Sequence, residues 1–225
     1  MIRLRNVCKN YQLGEEIVPA VCEVNLDIKE KEYIGILGSS GSGKSTLMYL
    51  IGLLETPTSG KIFLDGKDIS KLSDSQLSDL RNHHIGFVFQ SFNLINRYTV
   101  LENVLLPTKY VKGKLDFDSE KRAEELLKET GIYERRNFFP NKISGGQQQR
   151  AAIARALIMN PKIILADEPT GNLDSKTGEE ILDLLEKLNK DVGVTLILVT
   201  HEPNVAERTR RKIFLKDGKI TQKYL

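Results

Sequence analysis

The chain has 225 residues, 28% of them charged and 40% hydrophobic, with a net charge of +3. That length fits one large domain, or a core carrying a smaller subdomain, and the composition is that of an ordinary globular protein. The charge is too slight to argue for a nucleic-acid partner, and no apolar run approaches the ~20 residues that span a bilayer. Cys8 and Cys22 are too few for a disulfide framework or a zinc site, so they are expected to be packing residues of a reducing compartment. The start, "MIRLRNVCKNY", lacks an apolar signal segment, and the expectation is a cytosolic protein.

In chain order, "IRLRNV", "VNLDI" and "YIGIL" predict strands within the first 37 residues. "KSTLMYLIGLLE", Lys44 to Glu55, predicts a helix stopped by Pro57 and Gly60. "GKIFLDGKDI" predicts a strand with an Asp65-Gly66 turn. A short polar helix then leads to the apolar strand "IGFVFQ" (Ile85 to Gln90). Helix dominates from Thr99 to Ala156: Thr99-Val-Leu-Glu102 is a capping box that Pro107 should end, and "DSEKRAEELLKETG" is a one-faced helix stopped by Gly131. "KIILAD" and "VTLILVT" are short apolar strands flanking a helix marked by Ile181, Leu184, Leu185 and Leu188, the pattern of a parallel sheet. Asp217-Gly218 closes a terminal hairpin. A helix-rich middle between α/β flanks implies a helical subdomain inserted in a nucleotide-binding core.

"GSSGSGKS" matches G-x-x-x-x-G-K-[ST] between an apolar strand and a helix, the context in which that motif cradles phosphate. Gly38, Ser39, Ser40, Gly41, Ser42, Gly43 and Thr46 would line the phosphates with backbone N–H groups. Lys44 would neutralise the β- and γ-phosphates, and the Ser45 hydroxyl would ligate Mg²⁺. "IILADE" brings Asp167 to a strand end as a second Mg²⁺ holder, through water, and sets Glu168 beside it to polarise an attacking water. A carboxylate there favours hydrolysis over transfer to a substrate hydroxyl, which disfavours a small-molecule kinase. His201 ends "VTLILVT" and is expected to sense the γ-phosphate; Gln90 ends its own strand and is expected to contact Mg²⁺ or water. His83 and His84 have no spaced partners and are expected at the surface.

In this order, Gly38–Ser45, Gln90, Ser144–Gln148, Asp167–Glu168, Asn172–Asp174 and His201 resemble the full motif set of ABC-type ATPase subunits. The resemblance spans essentially the whole chain. "GLLETPTSG", "IGFVFQSFNLINRYTVLENVLLP" and "ADEPTGNLDSKTG" look closest to the lipoprotein-release and macrolide-export branch, whose ATPases pair with an integral membrane permease. The resemblance implies a single ABC-type ATPase domain: an α/β P-loop NTPase core with a mixed sheet covered on both faces and an antiparallel β subdomain (1–90 and 162–225), and a helical signature subdomain (91–161). It also implies that Tyr11 stacks on adenine and that Asp174 couples two copies. Ser39 stands where Pro is frequent, Ile143 replaces the usual Leu, and "INR" at Ile95–Arg97 departs from the branch's Leu-Pro, which bears on the permease partner. By that resemblance the protein works at the inner face of the cell membrane. A force-transmitting ATPase of a cell-division complex, or a non-transport ABC ATPase, is the alternative.

"ISGGQQQR" poses a separate question. Ser144-x-x-Gln147 is a capping box, yet two glycines in a first turn serve capping poorly. Gly145 and Gly146 make sense if another molecule must approach the backbone. The expectation is a head-to-tail dimer in which Ser144, Gly145, Gly146 and Gln147 of one chain cap the ATP bound by the other.

Overall fold

Ile2 and Leu4 alternate with polar residues, as do Val24, Leu26 and Ile28, and a register irregularity between Leu4 and Val7 sets Val7 opposite Val24, so one face of an antiparallel pair can bury them all. They do so in β1 (Ile2–Leu13) and β2 (Glu16–Ile28), two strands longer than the short apolar runs suggest. The computed structural model describes residues 1–221, and the chain divides into two units: Met1–Arg81 with Thr195–Leu225, and Asn82–Val194.

In the first unit β1 also pairs with β4 (Ser59–Leu64), which pairs with β5 (Lys67–Asp68), giving the sheet order β2-β1-β4-β5. Asp65 and Gly66 link β4 to β5 with φ of 48° and 82°, the double left-handed geometry of a tight hairpin turn. A second sheet is built around β3 (Tyr33–Leu37), buried at every position and parallel to both β8 (Thr195–Thr200) and β9 (Arg211–Lys216). The short β10 (Lys219–Thr221) turns back on β9 through Asp217 and Gly218, at φ of 47° and 74°. Between β3 and β4 runs α1 (Lys44–Ile51), four residues shorter at its end than the sequence suggests, because Gly52 caps it and Leu53 follows at a left-handed φ of 57°. The five-residue α7 (Pro203–Glu207) follows β8.

The polar helix α2 (Asp74–His84) leads into the second unit. There β6 (Ile85–Phe89) and β7 (Ile163–Asp167) run parallel in the register Ile85↔Ile163 to Phe89↔Asp167. Around them lie α3 (Val100–Leu105), α4 (Ser119–Glu129), α5 (Gly145–Leu157) and α6 (Ser175–Lys187). α3 opens with the expected capping box of Thr99 and Glu102, but Pro107 does not end the helical path: it sits in a 3₁₀ turn, Leu106–Tyr110, where its missing N–H is no loss. α5 lies so close to β6 that a Cβ on Gly86 would overlap the Ala156 carbonyl oxygen. Arg150 joins α5 to its neighbours, donating to the Thr130 carbonyl at 3.1 Å and to Glu180 at 2.9 Å.

Candidate nucleotide site

Two glycine-containing helix starts carry candidate functional residues, one in each unit. In the first, the loop 38–43 leaves the fully buried β3 and enters α1 through Gly41 (φ 76°) and Gly43 (φ 98°), conformations that an L side chain rarely adopts. A Cβ on Gly43 would also overlap the Ala20 carbonyl oxygen, and one on Gly38 would overlap the Leu215 carbonyl oxygen. No side chain caps α1, so the N–H groups of its first turn are left for another acceptor, the arrangement that binds anions. The Lys44 Nζ donates to the carbonyls of Gly38 and Ser39, each at 2.8 Å, which curls its ammonium over the loop. Ser39, Ser40 and Ser45 are exposed and Thr46 is half-buried, while Ser42 is buried with no hydrogen-bond partner for its Oγ.

Tyr11 lies half-buried on β1 opposite Val18, with the Lys9 ammonium 5.3 Å from its ring centre. Lys9 is held in turn by Glu55 and the Thr56 carbonyl. His201 is exposed, directly after β8. Both residues share a unit with the phosphate loop.

In the second unit, the parallel register places Phe89 beside Asp167, so Gln90 and Glu168 are the next residues out of two adjacent strand ends. Asp167 and Glu168 are half-buried, and Glu168 adopts a left-handed φ of 45°. Strain of this kind in a non-glycine residue, about 1–3 kcal/mol, persists where the surroundings fix the side-chain direction. Gln90 is exposed and its amide turns to Asn172: Nε2 lies 3.4 Å from the Asn172 Oδ1, and Asn172 donates to the Gln90 carbonyl at 3.0 Å. Asp174 caps α6, accepting from the Thr177 N–H at 3.0 Å and the Thr177 hydroxyl at 2.6 Å. Those two donors hold its carboxyl below the usual carboxylate range.

The second helix start is α5. Ser144 accepts from the Gln147 N–H at 3.3 Å, and the Gln147 side chain accepts from the Ser144 N–H at 3.0 Å. Ser144 is exposed and Gly145 half-buried, but Gly146 is buried: a Cβ there would overlap Thr177 Cγ2, and one on Gly145 would sit 3.3 Å from Leu173 and 3.5 Å from the Phe92 ring. Part of the glycine requirement is therefore met inside the chain.

Three polar residues escape the sequence reading. Gln149 of α5 is fully buried and donates to the Pro169 carbonyl at 2.5 Å, with the Phe89 carbonyl 3.4 Å away, so it joins the end of β6 to the segment after Glu168. Arg155, also on α5, donates to the carbonyls of Asn93 (2.5 Å) and Phe92 (2.9 Å), whose φ angles are 51° and 58°. Burial pushes its guanidinium pKa down to about 10. Asn103 of α3, fully buried, accepts from the Ile95 N–H at 2.7 Å and donates to the Ile95, Tyr98 and Thr99 carbonyls. Arg155 and Asn103 together hold residues 92–99 in one shape. The available signal was a polar side chain on the buried face of an otherwise apolar helix.

Residues 21–171 match the family model described as "ABC transporter". The chain belongs to the ABC transporter family. It is 54% identical over 223 residues to the uncharacterized ABC transporter ATP-binding protein MJ0796 of Methanocaldococcus jannaschii, covering 98% of this chain and 95% of that one. It is 44% identical over 221 residues to the lipoprotein-releasing system ATP-binding protein LolD 1 of Rhodopseudomonas palustris, covering 98% of each. It is 48% identical over 221 residues to the macrolide export ATP-binding/permease protein MacB of Syntrophobacter fumaroxidans, of which it spans 31%. The solved dimer of MJ0796 in a post-hydrolysis state, with ADP and Pi bound, aligns at a TM-score of 0.89 and 51% identity, covering 99% of this chain and 97% of that chain. The fold class is accordingly the expected P-loop NTPase core with an antiparallel β subdomain and a helical insertion. The chain is an ABC ATPase cassette, and the LolD and MacB relatives are consistent with the lipoprotein-release and macrolide-export branch.

Proposed function

We propose that this cassette hydrolyses ATP as one half of a head-to-tail pair and thereby powers an integral membrane permease of an export or lipoprotein- and peptide-extrusion system. The observation that carries the hydrolytic reading is the register of β6 and β7, which sets Gln90 and Glu168 side by side while Glu168 holds a constrained left-handed backbone. Glu168 is the base that polarises the attacking water, and His201 stabilises the γ-phosphate. The backbone N–H groups of residues 38–46 and the Lys44 ammonium bind the phosphates, and the Tyr11 ring receives the adenine. Ser45, Gln90 and Asp167 offer only oxygen donors toward a metal. Such a donor set fits Mg²⁺, which takes one or two carboxylates plus substrate phosphates. When bound, Mg²⁺ would neutralise charge on the β- and γ-phosphates.

The Ser144 oxygen already accepts from the Gln147 N–H, which leaves its hydroxyl proton as a donor toward the partner's γ-phosphate. Gly145, Gly146 and Gln147 complete that contact, and Asp174 couples the two copies. That the M. jannaschii relative has been solved as a dimer with ADP and Pi bound supports a pair as the working unit. ATP binding favours the closed pair, and hydrolysis releases it. The proposed division assigns 1–90 and 162–225 to the core and 91–161 to the helical subdomain. Among the described residues no helix is long and apolar enough to cross a membrane. The permease supplies the membrane location, at the inner face of the cell membrane, and the cargo contacts.

The test is Glu168→Gln. Removing a general base costs about 10²–10⁴-fold in rate. We expect hydrolysis to fall by at least that lower bound, while Mg-ATP shifts the variant from monomer to dimer in light scattering at micromolar concentration. A variant that hydrolyses ATP normally and stays monomeric would overturn the reading. Co-purification with an untagged membrane partner tests the permease.

A further inference from the structure

Cys8 and Cys22 play no part in the nucleotide chemistry, yet their Sγ atoms lie 3.8 Å apart across β1 and β2. The cause is a β-bulge. Val7 pairs with Val24 and Lys9 with Val21, so Cys8 alone faces the two residues Cys22 and Glu23. Glu23 takes up the extra length with a left-handed φ of 54°, a conformation sparsely populated by residues other than glycine. That twist turns the Glu23 N–H onto the Cys8 Sγ at 3.1 Å. On the other side, the Cys22 N–H is fixed to the Gly218 carbonyl at 2.9 Å. The bulge thus aims one sulfur at the other, and both side chains are half-buried, within reach of a small molecule.

The two thiols are also chemically unequal. The Glu23 N–H lowers the pKa of Cys8, whereas the hydrogen bond that Cys22 makes to Cys8 raises its own. Cys8 is therefore the more readily deprotonated of the pair, and Cys22 the resolving thiol.

We propose that Cys8 and Cys22 form a thiol modification site that exchanges with a low-molecular-weight disulfide to give a reversible cross-strand disulfide between β1 and β2. The Cys8 thiolate attacks one sulfur of the small disulfide; its S–S bond breaks, and the first small thiolate leaves with the electron pair and takes a proton from water. Cys22 gives its proton to solvent, and its thiolate attacks the Cys8 sulfur, expelling the second small thiolate. Two cysteine thiols are oxidised and one small disulfide is reduced to two thiols. The bond would form beside the phosphate loop: Ala20, two residues before Cys22, presents the carbonyl that occupies the space of a Gly43 Cβ and also abuts Gly218. In a reducing compartment such bonds are transient and redox-sensing rather than structural. The proposal stands independently of the ATPase mechanism.

The experiment incubates the native full chain with oxidised glutathione and follows thiol titre and intact mass, with dithiothreitol reversal. We expect both thiols to disappear within one chain, with the loss of two hydrogens and no retained glutathione, and a melting temperature several degrees above that of the reduced protein. Cys22→Ser and Cys22→Ala should each trap a glutathione adduct on Cys8, while Cys8→Ser should react more slowly at Cys22. Two results would overturn the proposal. Both thiols stay titratable while the same protein, denatured, is oxidised; or oxidation yields only chains linked to one another on non-reducing gels.

Discussion

The two glycine-containing helix starts look alike in sequence and differ in physics. The loop into α1 uses glycine for its backbone: Gly41 and Gly43 have φ of 76° and 98°, and no side chain caps the helix. Its orphan N–H groups are left for a ligand. The start of α5 is regular and closed, with Ser144 and Gln147 satisfying each other in a capping box. Its glycines permit close packing within the chain, Gly146 against Thr177 and Gly145 against Leu173 and Phe92. A glycine-rich helix start is thus an anion site of its own only when the cap is missing. A capped one can offer an anion little beyond a hydroxyl proton and the outermost N–H groups.

Gly43→Ala should separate the two most sharply. Its Cβ would overlap the Ala20 carbonyl, which is backbone and cannot rotate away, at a φ that disfavours alanine. The combined cost is about 3 kcal/mol or more, and calorimetry should show ATP affinity reduced by about 100-fold. Gly146→Ala meets only a methyl group, so overpacking should cost about 1–3 kcal/mol of stability. Thr177→Ser removes that methyl and keeps the hydroxyl bonded to Asp174, so Gly146→Ala/Thr177→Ser should recover the lost melting temperature. If the double variant is stable yet no longer dimerises on Mg-ATP in the Glu168→Gln background, the glycine also serves the partner chain. If both properties return, its role is packing within one chain.

What could be read from the sequence follows the same division. Features with local causes were legible: the phosphate loop, the Thr99 and Ser144 capping boxes, and the Asp65-Gly66 and Asp217-Gly218 turns each depend on residues a few positions apart. The ends of the strands were not, since β1 and β2 are extended by pairing with each other beyond their apolar stretches. Nor could the sequence disclose what Gln149 and Arg155 do, because their acceptors, the carbonyls of Phe89 and Asn93, lie 60 and 62 residues away. Cys8 and Cys22 read as plain packing residues because only the bulge at Glu23 brings them together.

Arg155 gives the next largest effect, confined to the second unit. A guanidinium held at a lowered pKa by burial is costly, and it serves two consecutive carbonyls in a left-handed turn. Arg155→Met should lose about 2 kcal/mol, the net of two charge-assisted hydrogen bonds and the relieved desolvation. Trypsin cleavage after Arg97, in the segment expected to meet the permease, should accelerate, while ATP affinity at the first unit stays unchanged. Arg155→Lys should protect only partly, because an ammonium lacks the planar fork that spans two carbonyls. Equal proteolysis of wild type and Arg155→Met would show that Asn103 alone shapes residues 95–99.

The smallest effect concerns Asp174, whose cap on α6 stands next to the packing of Gly146 on Thr177. The Thr177 hydroxyl and N–H depress its pKa in the folded chain. A depressed carboxyl stabilises the fold above the unfolded pKa of about 3.9, and that contribution is lost as pH falls through the lower folded value. Asp174→Asn retains an acceptor for the cap and removes the charge. Its melting temperature should lie slightly below wild type at pH 7, and the gap should close as the pH drops below about 4. A gap that stays constant across that range would mean the cap works through shape alone, making α6 indifferent to charge at the position expected to couple two copies.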